Sequence, residues 1–353
     1  MTYMTLLLKM SEASPDIKGI RKAAAIIKEG GIVVFPTETV YGIGANAFDG
    51  NACLRIFELK GREQDNPLIV HVSSINMAEK VAVIPKMYKK ILGNVWPAPL
   101  TVILKARKGI PKSVTAGLRT VAVRMPDNKI ALRLIEESGT PIAAPSANIS
   151  KRPSSTRASH AIKYFYGKAD AIIDAGSSRF GIESTVIDLD NFELLRPGAF
   201  SVDGIEKLFG RKLKIYGTQE KRGYVAKPKS PGMKYMHYAP LTPIFLFNGD
   251  IRSIGNATKP YAGRFIFIGS DESCKIAKRY AKDTIGIGRR EDVDVIAHNL
   301  FDALIRLDGK TSEFAVIECF GEEGIGLALM NRIRKACSYK SFTDADSLIK
   351  LVG

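Results

Sequence analysis

Cysteine is scarce in this chain, with four among 353 residues, and Cys53, Cys274, Cys319 and Cys337 stand far apart. The lack of any Cys-x-x-Cys pair and of a histidine at metal-ligand spacing argues against both a disulfide framework and a zinc site. The four read as small buried hydrophobes, and no protein-held metal is expected. Tryptophan is nearly absent, Trp96 being the one, and aromatics make up 8%, too few for the stacking platforms of single-stranded RNA binders. No apolar run approaches the roughly 18 residues that cross a bilayer. The opening MTYMTLLLKM is too short and poorly flanked for a secretory signal, so a cytoplasmic protein without a membrane partner is expected. GxxxxGK[ST] is missing throughout, so a P-loop is not available to hold a nucleotide.

At 353 residues and 45% hydrophobic, the chain is long enough for two cores. Acidic residues are thin in one part only. Residues 1–240 carry 36 Lys and Arg against 21 Asp and Glu, whereas residues 241–353 carry 16 against 15. The net charge of +16 therefore belongs to the first part, and residues 207–234 form a basic connector with nine cations and only Glu220. Such a field attracts nucleotide triphosphate or RNA phosphate; a solubility face would have the same composition.

Helical and strand patterns alternate along the chain. Ile17, Ile20, Ala24 and Ile27 recur at helical spacing up to Gly30 and Gly31, and IVVF follows as a buried strand. The same order recurs from Leu54–Lys60 into PLIVHV and from Ile130–Glu137 into TPIAAP. TVILKA and VAVRMP read as adjacent strands around a Gly/Pro-containing loop. This predicts a twisted mixed sheet with helices packed on it. Beyond Pro240 the pattern restarts as strand PIFLF, strand RFIFI, helix Glu272–Lys282, strand TIGIG, helix Val293–Leu307, strand FAVIECF and a helix from about Ile325 to Ala336. That alternation predicts a smaller, Rossmann-like parallel α/β domain. Gly321, Gly324 and Gly326 before its last helix read as tight packing, being too weak a fingerprint for a dinucleotide. The expected organisation is a first domain over 1–217, a basic connector over 218–240 and a second domain over 241–353.

Within KGREQDNPLIVHV, Lys60 and Arg62 stand two residues apart, where a forked guanidinium and a point ammonium can hold different oxygens of one anion. The plain alternative is a solvated helix end. In PSAN, Pro145 holds the chain extended, so Ser146 and Asn148 point to one side as hydrogen-bond donors; an ordinary strand-ending turn is the alternative. Arg124 closes VAVR as a strand-end cation suited to a carboxylate. Thr37 and Thr39 in PTETVYG are expected on one strand face. A lone His in an apolar strand such as LIVHV is more usually a satisfied core histidine than a ligand, and that is the plain reading of His71. Ser154 follows Arg152 and Pro153 in a loop able to wrap phosphates, and SPGMKYMHY places Tyr235 and His237 behind a Pro-Gly turn.

GGIVVFPTETVYGIGA, KGREQDNPLIVHV, TVAVRMP, TPIAAPSANISKRPSSTRAS and FGIESTVIDLDNFELLRPG together resemble the YrdC-like domain of threonylcarbamoyl-AMP synthases, over about the first two thirds of the chain. SPGMKYMHYAP is similar to the interdomain linker of the two-domain type. The resemblance implies condensation of L-threonine, bicarbonate or carbon dioxide, and ATP into threonylcarbamoyl-AMP with loss of pyrophosphate. Mg2+ would ride on the nucleotide with few or no direct protein ligands. A downstream tRNA-modifying transferase complex would be the partner, with tRNA contact as an extension. It implies Lys60, Arg62, Ser146 and Asn148 as the catalytic KxR and SxN pairs. Thr37, Thr39, His71, Arg124, Ala144, Ser184 and Thr185 would surround threonine; Arg62, Asn66, Thr120, Ser146, Ser154, Arg196, Tyr235 and His237 would surround the nucleotide; and the linker would act as a lid. Carbamoyltransferases sharing this domain carry cysteine-rich zinc motifs, which this sequence lacks. A non-catalytic basic RNA-binding protein is the competing reading from another class.

Overall fold

The computed structural model describes residues 4–215 and 238–352, which divide into two compact units. The first holds 4–150, 154–179 and 183–215; the second holds 151–153, 180–182 and 238–352. Most of the expected connector, with Tyr235 and His237, lies outside the described residues.

The first unit is built on one mixed sheet. Its strands run in the order Leu6–Lys9, Ala171–Asp174, Val33–Phe35, Gly42–Asn46, Ile142–Ala144, Ile69–His71, Thr120–Arg124, Leu100–Ala106, Thr185–Asp188, Glu193–Arg196 and Lys214–Ile215. A short strand, Ala82–Val83, pairs off the side of Leu100–Ala106. Parallel and antiparallel neighbours alternate irregularly: Ile69–His71 is parallel to Thr120–Arg124 and antiparallel to Ile142–Ala144.

Local chemistry sets the helices that cover this sheet. Asp16 accepts from Lys18 N at 3.0 Å to start the helix Ile17–Lys28, and Gly30, at φ 79°, lets the chain turn back into the sheet. That helix buries Ile20, Ala23, Ala24 and Ile27. The helix Lys129–Ser138, capped by Asn128 and closed by Gly139 at φ 66°, buries Ile130, Ala131, Leu134 and Ile135 against the same core. Val33, Phe35, Ile142, Ala144 and Ile173 supply the sheet side. Each buried Ile or Leu contributes about 1.5–3 kcal/mol.

The second unit has a five-stranded, wholly parallel sheet, ordered Asp283–Gly286, Phe265–Gly269, Phe314–Glu318, Ile244–Phe247, Ser341–Phe342. The parallel α/β expectation holds, with one twist of topology: the fourth strand in sequence lies between the first and the second. Its core is aromatic, with Phe245, Phe247, Phe265, Phe267, Phe314 and Phe342 packed together and Phe265 stacked on Phe314 at 5.8 Å. The helix expected over Glu272–Lys282 stops at Ala277. Ser270 caps its start, and Glu318 accepts from Ser270 N at 2.8 Å and from Ser273 Oγ at 2.7 Å. The strand Ser341–Phe342 and the helix Ala345–Val352 extend the unit beyond the predicted elements. Within the glycine cluster, packing explains Gly326, where a Cβ would lie 2.1 Å from Gly321 O, whereas Gly324 serves a left-handed turn at φ 55°.

All four cysteines are free; Cys53, Cys274 and Cys337 are buried as expected, and Cys319 is half-buried. Burial pushes the Cys53 and Cys274 thiols up to about 12. No helix among the described residues is long and apolar enough to cross a membrane.

Candidate functional site

Lys60 is the last residue of the helix Gly50–Lys60, which Asp49 caps at one end and Gly61, at φ 57°, turns out of at the other. A lysine there would ordinarily reach water. This one is 1% exposed, and its Nζ donates to Ser146 O at 2.5 Å and to Asn148 O in a still shorter contact. Burial, and then the charge of Arg62, hold its ammonium well below the usual lysine range. The solvated-helix-end alternative is thereby excluded for Lys60. Arg62 is half-buried and donates to the carbonyls of Asn66 and Pro67 at 3.1–3.3 Å. Asn66, 3% exposed, leaves its buried Oδ1 without a hydrogen-bond partner.

PSAN is tied into the sheet rather than left as a free turn. Ser146 bridges to Gly42, Ile43 N donates to Pro145 O at 3.0 Å, and Ala147 N donates to Tyr41 O at 2.7 Å. Ser146 Oγ donates to Asn148 Oδ1 at 2.5 Å, so the two side chains face each other beside Lys60. Glycine is needed at Gly44, where a Cβ would lie 2.6 Å from Ile142 and 2.8 Å from the Phe35 ring.

Thr37 and Thr39 lie in the bend joining Val33–Phe35 to Gly42–Asn46, not on a strand face as expected. The hairpin turns in the PTET segment, and Thr37 Oγ1 closes that turn by donating to Val40 O at 2.6 Å. Its oxygen also lies 2.9 Å from Thr39 Oγ1, so both threonines are buried in one hydroxyl pair. Arg124, 4% exposed at the end of its strand, donates from Nη2 to Thr39 Oγ1 at 2.8 Å. The same Nη2 lies 2.6 Å from Glu38 Oε2.

His71 is the register partner of Arg124 on the neighbouring strand. Its ring lies edge-on to Phe35 at 6.0 Å, with Nδ1 3.2 Å from Ile69 O. Burial and the Arg124 charge push it down to about 3, so it is a neutral imidazole in ordinary buffers. Ala144 is 2% exposed and belongs to the helix-side core.

Thr101 pairs with Arg124 across the antiparallel ladder and carries the network onward, its Oγ1 lying 2.8 Å from Ser184 Oγ. Arg196 donates to Ser184 O at 2.8 and 3.2 Å and to Ser184 Oγ at 3.2 Å. Thr185 donates instead to Phe200 O at 2.6 Å. Gly198 fits because its Cα face lies on the Ser184–Thr185 backbone, where a Cβ would come within 2.3 Å of two backbone atoms. Ser154 and Ser155 are fully buried; Ser154 Oγ donates to Glu183 Oε1 at 2.7 Å, and Ser155 Oγ to Ala147 O. Thr120, partly exposed, begins the strand that Arg124 ends.

Lys60, Ser146 and Asn148 thus form one cluster, and Thr37, Thr39, Arg124 and His71 a second. Ser184 and Arg196 form a third, reached from the second through Thr101. The stitching of residues 41–43 to 145–147 joins the first two. Glu38 and Thr101 are the members that pattern reading missed. Glu38 carried a signal, being a carboxylate between two threonines inside a Val/Ile-rich stretch. Among the described residues, no group of three or more His, Cys, Asp or Glu side chains is placed to hold a metal ion.

Two family models match the chain. One, described as telomere recombination and covering the Sua5, YciO and YrdC group, matches residues 25–198; the other, the threonylcarbamoyl-AMP synthase C-terminal domain, matches residues 200–338. The threonylcarbamoyl-AMP synthase of Pyrococcus abyssi is 44% identical over 340 residues, covering 96% of this chain and 99% of that protein. The Bacillus subtilis synthase is 42% identical, covering 92% and 94%. Among solved structures, the crystal structure of Pyrococcus abyssi Sua5 complexed with L-threonine superposes with a TM-score of 0.85 at 42% identity, covering 96% of this chain and 99% of that one. Length, both units and fold agree across these relatives, and the chain belongs to the two-domain, Sua5-type threonylcarbamoyl-AMP synthase family.

Proposed function

We propose that the chain is a nucleotidyltransferase that condenses L-threonine, bicarbonate or its carbon dioxide, and ATP into threonylcarbamoyl-AMP and pyrophosphate, in the cytoplasm. The observation that carries this reading is Lys60. A lysine buried at 1% exposure, whose partners among the described residues are two backbone carbonyls and no carboxylate, has its charged form disfavoured by burial, and an incoming anion would restore it. Burial of a cation without an anion is costly, and a bound phosphate or carbamate oxygen supplies the missing partner.

Three anionic groups must share one cleft: the threonine carboxylate, the carbamate and the triphosphate. Lys60 and Arg62 screen the carbamate from the α-phosphate, and Ser146 and Asn148 supply oriented hydrogen bonds. The carbamate oxygen attacks the α-phosphorus in line, the bond to the bridging oxygen breaks, and pyrophosphate leaves. Thr37, Thr39, His71, Arg124, Ala144, Ser184 and Thr185 form the threonine side, with Arg124 on the carboxylate. Asn66, Thr120, Ser154 and Arg196 form the nucleotide side with Arg62 and Ser146; Tyr235 and His237, outside the described residues, are assigned to the nucleotide by the linker's resemblance alone. Magnesium enters on the phosphates as part of the substrate.

The product serves threonylcarbamoyladenosine formation on tRNA through a downstream transferase complex. The surplus of Lys and Arg in residues 1–240 supports a direct tRNA contact. Pyrophosphate release, measured with threonine and bicarbonate present and with each omitted in turn, tests the reaction: both are required. Pyrophosphate release that ignores either substrate, or no ATP consumption at all, contradicts it.

A further inference from the structure

Arg124 and Glu38 form a buried ion pair that does not close on itself. Glu38 is 1% exposed and Arg124 4%, with Nη2 and Oε2 2.6 Å apart. That approach is a meeting of charges at an angle that misses a hydrogen bond: neither Glu38 oxygen has a hydrogen-bond partner, and Arg124 Nε has none either. A buried pair contributes to stability only when its remaining donors and acceptors are satisfied. This one holds both charges out of water with hydrogen-bonding capacity to spare on each.

A ligand that brings one group of each sign fits that arrangement. An α-amino acid offers its carboxylate to Arg124 and its ammonium to a carboxylate. Of the residues assigned above to the threonine side, none can be that carboxylate. Thr37, Thr39, Ser184 and Thr185 are hydroxyls, Ala144 is apolar and His71 is neutral. The other buried carboxylates of the first unit are engaged elsewhere: Glu183 by Ser154 at 2.7 Å, and Asp188 by Asn191 at 2.9 Å. Glu38 sits between the two threonines of the turn, on the guanidinium itself.

We infer that Glu38 is the receptor for the substrate's α-ammonium, and that with Arg124 it forms a two-ended clamp selecting an α-amino acid over the matching hydroxy acid. This rests on the proposed threonine-using activity and adds a specificity-determining residue to it. When the amino acid enters, its two charged groups exchange for the Glu38–Arg124 contact, so the pair serves as the placeholder for its own ligand.

Calorimetric titration of the full chain, with a non-hydrolysable ATP analogue present, decides this with two ligands: L-threonine and the 2,3-dihydroxy acid of the same configuration, in which a hydroxyl replaces the ammonium. The intact protein should prefer threonine. Glu38→Gln should weaken threonine roughly 10- to 100-fold, the worth of one charged hydrogen bond, while leaving the dihydroxy acid within about threefold, so that the preference collapses. Equal weakening of both ligands would mean that Glu38 only positions Arg124, and would overturn the inference. Absence of threonine binding by the intact protein would instead overturn the proposed function. Should Glu38→Gln fail to fold, crystals of the unaltered chain soaked with L-threonine replace it: the α-nitrogen is expected at about 3 Å from the Glu38 carboxylate, and a nitrogen bonded elsewhere refutes the assignment.

Discussion

At the scale of single residues, the site is defined by ionisable groups removed from water. Lys60 shows this most directly. Lys60→Ala should lower turnover by orders of magnitude, because the cation between the anions is lost, while circular dichroism shows the fold retained. A normal rate would refute its role. His71 gives a prediction in pH. Its folded value of about 3 lies below the ordinary 6.5, so between these values the unfolded chain binds the extra proton. Stability therefore falls as the pH drops below about 6.5. One such group costs about 2 kcal/mol between pH 6.5 and pH 5, and urea unfolding of His71→Gln should show that much less acid sensitivity than the unaltered chain. Lys60, Arg62, Ser146, Asn148 and Arg124 could be chosen from the sequence because donors at short spacing near strand ends are visible there. Glu38 was passed over: a carboxylate between two threonines is visible in the sequence, but its place against the Arg124 guanidinium comes from a strand more than eighty residues along the chain.

Elements hold these residues through capping and close approach. The helix Gly50–Lys60 delivers Lys60 inward because Gly61 takes up the left-handed conformation at its end. Gly61→Val should cost about 1 kcal/mol or more and depress turnover, as thermal melts and pyrophosphate assays would report. Gly198→Ala is harsher. The added methyl meets the Ser184–Thr185 backbone, so the strand end carrying Arg196 must lift away. A loss of several kcal/mol, with a raised KM for ATP, is expected; an unchanged melting curve would contradict the close packing. Most helices and strands were legible, because periods of 3.6 and 2 mark them and Gly or Asn punctuates them. The bend at Thr37–Val40 was not: its apolar neighbours read as a continuing strand, and only the Thr37 hydroxyl, bonding to Val40 O, shows where the chain reverses. The helix from Asp271 stops five residues early: past Ala277 the chain tightens into a turn, Tyr280 N donating to Ala277 O at 2.9 Å, and Lys282 N already donates to Phe265 O at 2.8 Å on the way into the next strand.

For the molecule as a whole, the division into a basic synthase-like part and a nearly neutral parallel α/β part was readable from charge and from the restart of strand–helix alternation after Pro240. The strand order of the second unit was not readable, because periodicity identifies strands without ranking them. A chain ending before Ser230 should still fold, judged by a cooperative melt, yet synthesise threonylcarbamoyl-AMP poorly, as the proposed lid requires; full activity of that shortened chain would remove the lid.

The placement of Phe314–Glu318 between Ile244–Phe247 and Phe265–Gly269 also matters while the protein is being made. The two strands emerging first from the ribosome have no edge to share with each other, and the piece that must slot between them is synthesised some fifty residues later. The nascent second unit therefore waits, its phenylalanines uncovered, until Phe314–Glu318 has been synthesised, and that interval is when chaperones would be needed most.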